Sequence, residues 1–541
     1  MSAQKKELTP IEEIMAKGHK VPKTRRQFLA HGLVSGVSTA VLPTFLTMLT
    51  RTNIAFAEQI DCAEAVFKEG LPYVCIDVAG GCNIAGSNAM VSMVKDSRVQ
   101  DDASSSSPGD YIRLGITPEE APSNSGKVET KYGLHFHRAS GFLDGMRKIL
   151  EPLGEELKMP NGRPISDGVD GLIFCTRTAD DSATNPINTV FQANRAGAKG
   201  KLVQLVGNSG TATGARSSAP ASQIDSKLRP TQINNYNGAK GLLSLGNKLT
   251  GEGAGYFYQT GVEGTDAKDT ERVKSFMNRI SKMNSAKINE IKKMGSTEQI
   301  ANVLKCSSND AKNLFDKYSA SALDPANDMA ISTIYGGDQA QGAVAKLVLD
   351  NIAGAGTITI GGGDYHGNPA MTTHNTDVNV GRAIGRLIRT AMEKGKNLVI
   401  HVYTDGGVAG DSGGATEPVV VEGIGEVAKV RWTGDSGTRS SAIMIVYKHN
   451  HDGTPLVKKN ASNVPERQVG GFVKAGGVDQ NSIIGNSTEN LWKAIMINYL
   501  AAQGYDTEAA SFRDEFKAIF KSDLPDKYEE LVRMLPVQEV A

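Results

Sequence analysis

The stretch between residues 357 and 403 constrains the fold more than any other part of the sequence. It begins with the run Thr-Ile-Thr-Ile at residues 357–360 and then breaks into a glycine-rich loop over residues 361–367. Apolar residues recur at helical spacing over residues 380–392, and residues 398–403 are again rich in strand formers. This order predicts a β-α-β unit, whose parallel strands must be buried under helices.

A second stretch has the same pattern. Residues 171–175 and residues 201–206 predict two strands. Asn185 and Pro186 predict the start of the helix between them, because asparagine caps helices and proline suits the first helical position. Residues 71–78 are a further β-rich run that ends in a glycine loop. We therefore predict an α/β protein with a largely parallel sheet sandwiched by helices.

Two helical regions are expected in addition to this sheet. Residues from about 265 to 325 are rich in Lys, Asn, Ser and Met at helical spacing and contain almost no strand formers, so they predict a helical insertion. Residues from about 490 to 535 predict C-terminal helices, with breaks at Gly504 and Pro525. Residues 58–541 are thus expected to form one α/β domain that carries both regions.

The N-terminus has the pattern of an export signal. Arg25 and Arg26 precede a moderately apolar segment, residues 33–49, and a small-x-small sequence that ends at Ala57. This arrangement is typical of a twin-arginine signal. It predicts export to the periplasm by the twin-arginine translocase, cleavage near Ala57 and no stable membrane span afterwards. The alternative is a retained membrane span, but glycines, a proline and Arg51 make the segment weakly apolar.

The charge balance of the chain argues against nucleic-acid binding. The sequence has 59 Lys or Arg and 59 Asp or Glu. Residues 1–57 hold eight basic and three acidic residues, so a form without them has a net charge of about −5. No basic patch with interleaved aromatic residues occurs, and we therefore expect no nucleic-acid partner.

Candidate metal ligands follow the strands of the first unit. Asp364 and His366 lie in the glycine loop, and Asp405 follows the strand at residues 398–403. If these strands are adjacent and parallel, the three side chains lie at one carboxyl edge, where open α/β sheets bind ligands. Carboxylate and imidazole groups suit a divalent metal such as Zn or Mn, and Asp435 is a fourth candidate. An ordinary glycine turn with a capping Asp and a surface His explains the same residues.

Six other polar residues are candidates for substrate binding, and most have an alternative structural role. Arg177 and Asp181 follow a predicted strand and can bind a phosphate or an ion. A helix cap and a solvent-exposed turn explain the same residues. Asp77 lies in a strand-like run and can equally be a core residue with its hydrogen bonds satisfied. His374 lies just beyond the central glycine loop. The full set is Asp77, Asn83, Arg177, Asp181, Asn208 and His374.

Several of these features together resemble a known exported family. They are the twin-arginine start, the Gly-Gly loop after the first strand, the Gly-Gly-Asp-Tyr-His motif at residues 362–366 and the Thr-Asp-Gly loop at residues 404–406. They resemble domain-of-unknown-function family 1501, which belongs to the alkaline phosphatase and sulfatase clan. The resemblance covers most of residues 71–505 and implies an alkaline-phosphatase-like sheet between helical layers. It also implies hydrolysis of phosphate or sulfate esters at a two-metal site, where the ions hold the attacking and leaving oxygens.

The sequence departs from this family where metal ligands are expected. The motif at residues 362–366 lacks the spacer that the family has before its Asp, Asn83 replaces an Asp of the first loop, and Ser436 replaces a His. Fewer ligands remain for two ions. We therefore expect a catalytically degenerate member that acts in binding or envelope assembly, with a cell-envelope protein as partner. The alternative is a metal-dependent phosphate- or sulfate-ester hydrolase, with a single ion held by Asp364, His366 and Asp405.

Overall fold

The computed structural model describes residues 70–91, 94–95, 98–99, 111–122, 124–178, 186–216, 224, 228–240, 242, 320–473 and 475–538. Apart from Ala320, these residues belong to one compact unit, formed by Val66–Leu242 and Ser321–Ala541. The predicted export signal, residues 1–57, lies outside the described residues. Nearly all of the predicted helical insertion, residues 265–325, lies outside them as well.

Eight strands of the described chain form the central sheet. They are β1 (Tyr73–Asp77), β2 (Val169–Cys175), β3 (Val203–Gly207), β4 (Thr231–Gln232), β5 (Ala353–Thr359), β6 (Leu398–Tyr403), β7 (Ser441–Tyr447) and β8 (Gln468–Val469). Their order across the sheet is β8-β2-β7-β6-β1-β5-β3-β4. Seven strands run in the same direction, and β7 runs antiparallel to both of its neighbours. The sheet is therefore mostly parallel.

Strand β1 lies between β5 and β6. Cys75 of β1 is the register partner of Thr357 on one side and of His401 on the other. The expectation that the loops bearing Asp364 and Asp405 follow adjacent strands is therefore wrong. The insertion of β1 depends on pairing between segments far apart in the chain, which a local sequence pattern does not contain. Because all three strands are parallel, their ends still share one edge of the sheet.

Helices cover both faces of the sheet. The described α-helices are α1 (Gly141–Leu150), α2 (Val190–Arg195), α3 (Tyr236–Lys240), α4 (Ala320–Leu323), α5 (Met329–Tyr335), α6 (Gln339–Leu349), α7 (Ala370–Glu393), α8 (Thr488–Ala502) and α9 (Phe512–Phe520). Residues of α2, α8 and α9 share an apolar cluster with Tyr73 and Ala355 of the sheet. On the opposite face, a Cβ on Gly356 would lie 2.7 Å from Val344 of α6. The predicted α/β class with a mostly parallel sheet is thus confirmed.

Helices α1 and α7 pack against each other at glycine contacts. A Cβ on Gly145 of α1 would lie 2.1 Å from the Val378 carbonyl oxygen, and one on Gly381 of α7 would lie 2.1 Å from that of Phe142. No real Cβ fits at such distances. These positions therefore hold the two helices at a short and fixed separation.

Smaller elements complete the described chain. Between β6 and β7, one antiparallel ribbon pairs Val408–Gly410 with Trp432–Asp435, and a hairpin pairs Thr416–Val421 with Gly425–Val430. Shorter pairs join Val94–Lys95 to Arg98–Val99 and Val128–Glu129 to Phe136–His137. The 3-10 helices are Ile112–Leu114, Pro118–Glu120, Pro152–Gly154, Ile165–Gly168, Pro325–Asn327, Gly437–Arg439 and Tyr528–Leu531. Among the helices of the described residues, none is both long enough and apolar enough to span a bilayer.

Candidate functional site

The loops that follow β1, β5 and β6 pack directly on one another. A Cβ on Gly80 would lie 2.5 Å from the Asp364 backbone nitrogen, and Gly80 has a φ of +116°. A Cβ on Gly81 would lie 2.8 Å from Asp435 Oδ1 and 2.9 Å from the Gly407 carbonyl oxygen. Only glycine accommodates such contacts and such a φ. The Gly-Gly pair after β1 therefore allows the neighbouring loops to approach its backbone.

Three of the predicted metal ligands come together at this contact. The His366 backbone N–H donates to Asp364 Oδ1 at 3.1 Å, which closes a tight turn within the glycine loop. The His366 Nδ1 atom lies 3.3 Å from Asp435 Oδ2. About half of each side chain in this second pair is exposed, so the surrounding water weakens the attraction between them.

Asp405, the fourth predicted ligand, is buried and serves the loop after β1. Its Oδ1 accepts a hydrogen bond from the Gly80 backbone N–H at 2.7 Å. The neighbouring Thr404 hydroxyl donates to the Gly80 carbonyl oxygen and accepts from the Cys82 N–H at 3.3 Å. Asp405 and Thr404 together therefore fix the position of the glycine pair.

The arrangement of these four side chains does not reproduce a metal centre. In the part of the chain that the structure describes, no three His, Cys, Asp or Glu side chains are grouped so that they could hold an ion. Asp364, His366 and Asp435 are linked in a chain of contacts, whereas Asp405 is hydrogen-bonded to Gly80. A tightly bound Zn or Mn ion needs its ligands around one point. The metal site remains a prediction from the sequence.

Two predicted substrate-binding residues hold the end of β5. Asp77 is fully buried, and its Oδ2 accepts the Arg216 backbone N–H at 2.8 Å and the Thr359 hydroxyl at 3.1 Å. The Asn208 side chain accepts from the Thr359 N–H at 2.8 Å and donates to the Thr359 carbonyl oxygen at 3.3 Å. The hydrogen bonds of Asp77 and Asn208 therefore fix the backbone where β5 ends, at the carboxyl edge of the sheet.

The remaining predicted substrate-binding residues lie in different surroundings. Asn83 is buried and accepts hydrogen bonds from the Ser87 N–H and hydroxyl, while its Nδ2 has no partner. Arg177 is exposed. His374 is buried on α7, with its Nδ1 atom 3.3 Å from the Lys429 ammonium of the hairpin. Asp181 lies outside the described residues.

Sequence reasoning missed two arginines near this edge. Arg439 Nη1 donates to the Ser436 hydroxyl at 2.6 Å, and Arg113 Nη1 donates to the Gly410 carbonyl oxygen at 3.1 Å. Burial lowers the pKa of Arg439 below its ordinary value, and the nearby positive charge of Arg113 lowers it further. Neither guanidinium forms an ion pair with a carboxylate of the described residues. Arg439 follows the strand Trp432–Asp435, which is a usable sequence signal, but Arg113 lies in the short 3-10 helix Ile112–Leu114, which no sequence pattern marks.

Buried hydroxyl groups without partners occur in the same part of the fold. Within the described part of the chain, the hydroxyls of Thr178, Ser440 and Ser441 have no hydrogen-bond partner. The Thr178 N–H donates to the Gly437 carbonyl oxygen at 2.9 Å, which places the Thr178 loop beside the Arg439 segment. An unsatisfied buried polar group costs about 1–3 kcal/mol.

The fold and these loops define an α/β protein with a glycine-lined edge at the ends of its central strands, where aspartates and two arginines lie close to one another. Comparison of the chain with protein-family models, with curated proteins and with solved structures finds no match. The function must therefore be argued from the chain's own residues.

Proposed function

We propose that this is an exported, periplasmic protein with an alkaline-phosphatase-like fold that acts as a binding protein in the cell envelope. Its ligand carries an anionic group, which Arg113 and Arg439 hold. The proposal rests on the guanidinium groups of these two residues, which donate hydrogen bonds but form no ion pair with a carboxylate of the described residues. The export and the periplasmic location rest on the N-terminal sequence alone.

Two neighbouring positive charges favour an anionic ligand for a simple electrostatic reason. Burial, followed by the positive charge of Arg113, disfavours the charged form of Arg439 and lowers its pKa. A phosphate or sulfate group between them would offset both effects. The guanidinium is also planar and presents paired N–H donors that match two oxygens of such a group.

The loop carboxylates support binding more than hydrolysis. Asp405 accepts a backbone N–H, Asp77 accepts a backbone N–H and a hydroxyl, and Asp364 closes its own turn. Ser436, at the position where the resemblance implies a histidine, accepts a hydrogen bond from Arg439. Ser436, which stands where the resemblance implies a metal-binding histidine, is thus hydrogen-bonded to Arg439. This arrangement is expected if an anion site has replaced the metal site.

The partner that we propose is a cell-envelope protein that presents the anionic group. Inorganic phosphate serves as the simplest probe of the site. The melting temperature of the mature protein should rise with phosphate at constant ionic strength, because a ligand that binds only the folded state stabilises it.

Arg439→Gln and Arg113→Gln should each lose most of this phosphate-induced rise. Arg163→Gln is the matched control, because Arg163 is an exposed arginine that is paired with Asp167 at 2.8 Å. Phosphate also strengthens folding nonspecifically, so the difference between the variants and this control carries the test. Equal phosphate effects in all the proteins would overturn the proposal.

A metal-dependent phosphate- or sulfate-ester hydrolase is the second candidate. The approach of His366 to Asp435, next to Asp364, favours it. Zinc or manganese bound in a stoichiometric amount, lost in Asp364→Ala, together with turnover of a nitrophenyl phosphate or sulfate ester, would establish this candidate and overturn the first. Binding of phosphate without metal or turnover supports the first.

A further inference from the structure

A cavity of about 510 Å³ lies between helix α1, helix α7 and the turn of the hairpin formed by Thr416–Val421 and Gly425–Val430. Its volume is within the range of small-molecule sites, about 300–1,000 Å³. The glycine contacts between α1 and α7 fix the separation of two of its walls. The distance between these two walls is therefore set before a ligand binds.

His374 of α7 lines this cavity and has an unused polar atom. The residue is only 2% exposed, its Nδ1 lies 3.3 Å from Lys429 Nζ, and its Nε2 has no hydrogen-bond partner among the described residues. A lysine ammonium only donates hydrogen bonds, so Nδ1 accepts and the ring hydrogen resides on Nε2. Burial, followed by the charges of Lys429 and Lys148, lowers the pKa of His374 to about 3. The imidazole is thus a neutral ring with a free N–H donor.

The charged residues of the lining differ in how they are paired. Lys148 contacts Asp144 at 2.8 Å and Glu422 at 3.1 Å, so its charge is compensated within the wall. Arg382 lies further along α7 than His374. Its Nη1 donates a hydrogen bond to Asn379 Oδ1 at 3.5 Å, and it forms no ion pair with the described residues. Arg382 is therefore the cation that remains for a ligand.

The rest of the lining is partly apolar. Met371 and Val378 of α7 and Val420 of the hairpin border the cavity. Val420 is 61% exposed and Met371 is 38% exposed, and few other large apolar side chains of the described residues are exposed to this degree. Apolar side chains that remain in contact with water at a cavity favour a ligand with a hydrocarbon portion.

We propose that this cavity binds a small organic carboxylate with an apolar tail. The carboxylate pairs with the Arg382 guanidinium, the tail covers Met371, Val378 and Val420, and the N–H of His374 takes up an acceptor oxygen. The site is separate from the Arg113 and Arg439 pair, and it does not depend on the proposed function.

Hexanoate is a suitable probe, with hexan-1-ol as the uncharged ligand of the same length. Calorimetric titration of the full mature protein should show saturable binding of one hexanoate and much weaker binding of hexan-1-ol. Arg382→Gln should reduce the hexanoate affinity about tenfold or more, since charged hydrogen bonds contribute about 1.5–3 kcal/mol. Arg389→Gln should leave it unchanged, because Arg389 lies on the same helix but pairs with Glu393 at 3.0 Å.

His374→Ala removes the N–H donor proposed to bind the ligand's acceptor oxygen, and it should weaken hexanoate binding. His374→Gln keeps an N–H donor and should recover part of the lost affinity. The melting temperature of each variant shows whether it is folded. Arg439→Gln should bind hexanoate as the wild type does, which keeps this test distinct from that of the anion site. Equal affinity for hexanoate in wild type and Arg382→Gln, equal affinity for hexan-1-ol, or no saturable binding to the wild type would overturn the proposal.

Discussion

The Tyr365 hydroxyl donates to Asp377 Oδ1 at 2.5 Å and ties the central glycine loop to helix α7. Both side chains are buried. Burial raises the pKa of Tyr365 well above its ordinary value, and burial raises the pKa of Asp377 to about 6. The phenol therefore stays protonated and remains the donor. The positions of Asp364 and His366, on either side of Tyr365, depend on this buried hydrogen bond.

Tyr365→Phe should lower the free energy of unfolding by about 1–3 kcal/mol, because it removes the donor from a buried acceptor. Tyr403→Phe is the matched control, since Tyr403 is also fully buried but its hydroxyl has no hydrogen-bond partner in the described part of the chain. Removing that unsatisfied hydroxyl should be neutral or stabilising. Denaturant unfolding of both variants measures the difference, and equal losses would show that the bond to Asp377 contributes nothing.

Asp377→Asn should change how stability depends on pH. The folded-state pKa of Asp377 is raised by burial, so its contribution to stability is fully present below about pH 4 and is lost as the pH rises through about 6. The wild type should therefore lose on the order of 2–3 kcal/mol relative to Asp377→Asn between pH 4 and 7. Urea unfolding at several pH values measures this. If the free energies of unfolding of the two proteins changed equally with pH, the raised pKa of Asp377 would be contradicted.

Gly363→Ala should destabilise the loop, whereas Gly361→Ala should not. A Cβ on Gly363 would lie 2.6 Å from the Ala79 carbonyl oxygen, while one on Gly361 would have no atom within 4 Å. We expect a loss of about 1–3 kcal/mol for Gly363→Ala. Gly361→Ala should be neutral or slightly stabilising, because alanine restricts the unfolded chain. Thermal unfolding compares the two, and similar melting temperatures would show that the loops do not pack as described.

Replacement of Arg25 and Arg26 by lysine should leave the protein unprocessed in the cytoplasm. The twin-arginine translocase recognises the arginine pair, and a lysine pair preserves the charge without that recognition. Cell fractionation followed by immunoblotting measures the location and the cleavage near Ala57. Continued export of the double variant would refute the twin-arginine interpretation.

The strands and helices that lie close in the chain could be predicted from the sequence. Residues 357–403 gave the correct order of strand, loop, helix and strand, because apolar periodicity and glycine breaks are local signals. The pairing of β1 with both β5 and β6 is set by contacts between distant segments, and no local pattern encodes it.

The candidate site was predictable only in part, for the same reason. Asp405 was correctly placed at the edge of the sheet, but its partner, the Gly80 N–H, is 325 residues away. Its role in fixing the glycine pair therefore became visible only in three dimensions. The neighbouring Arg113 and Arg439 come from equally distant segments, and Arg113 has no sequence pattern that marks it.

The most direct test of the central claim is calorimetric titration of inorganic phosphate into the mature protein after treatment with EDTA. The metal-free protein should bind phosphate saturably at one site. This binding should be strongly weakened in Arg439→Gln and unchanged in Asp364→Ala. Binding that appears only after zinc or manganese is added, and that is lost in Asp364→Ala but not in Arg439→Gln, would contradict it.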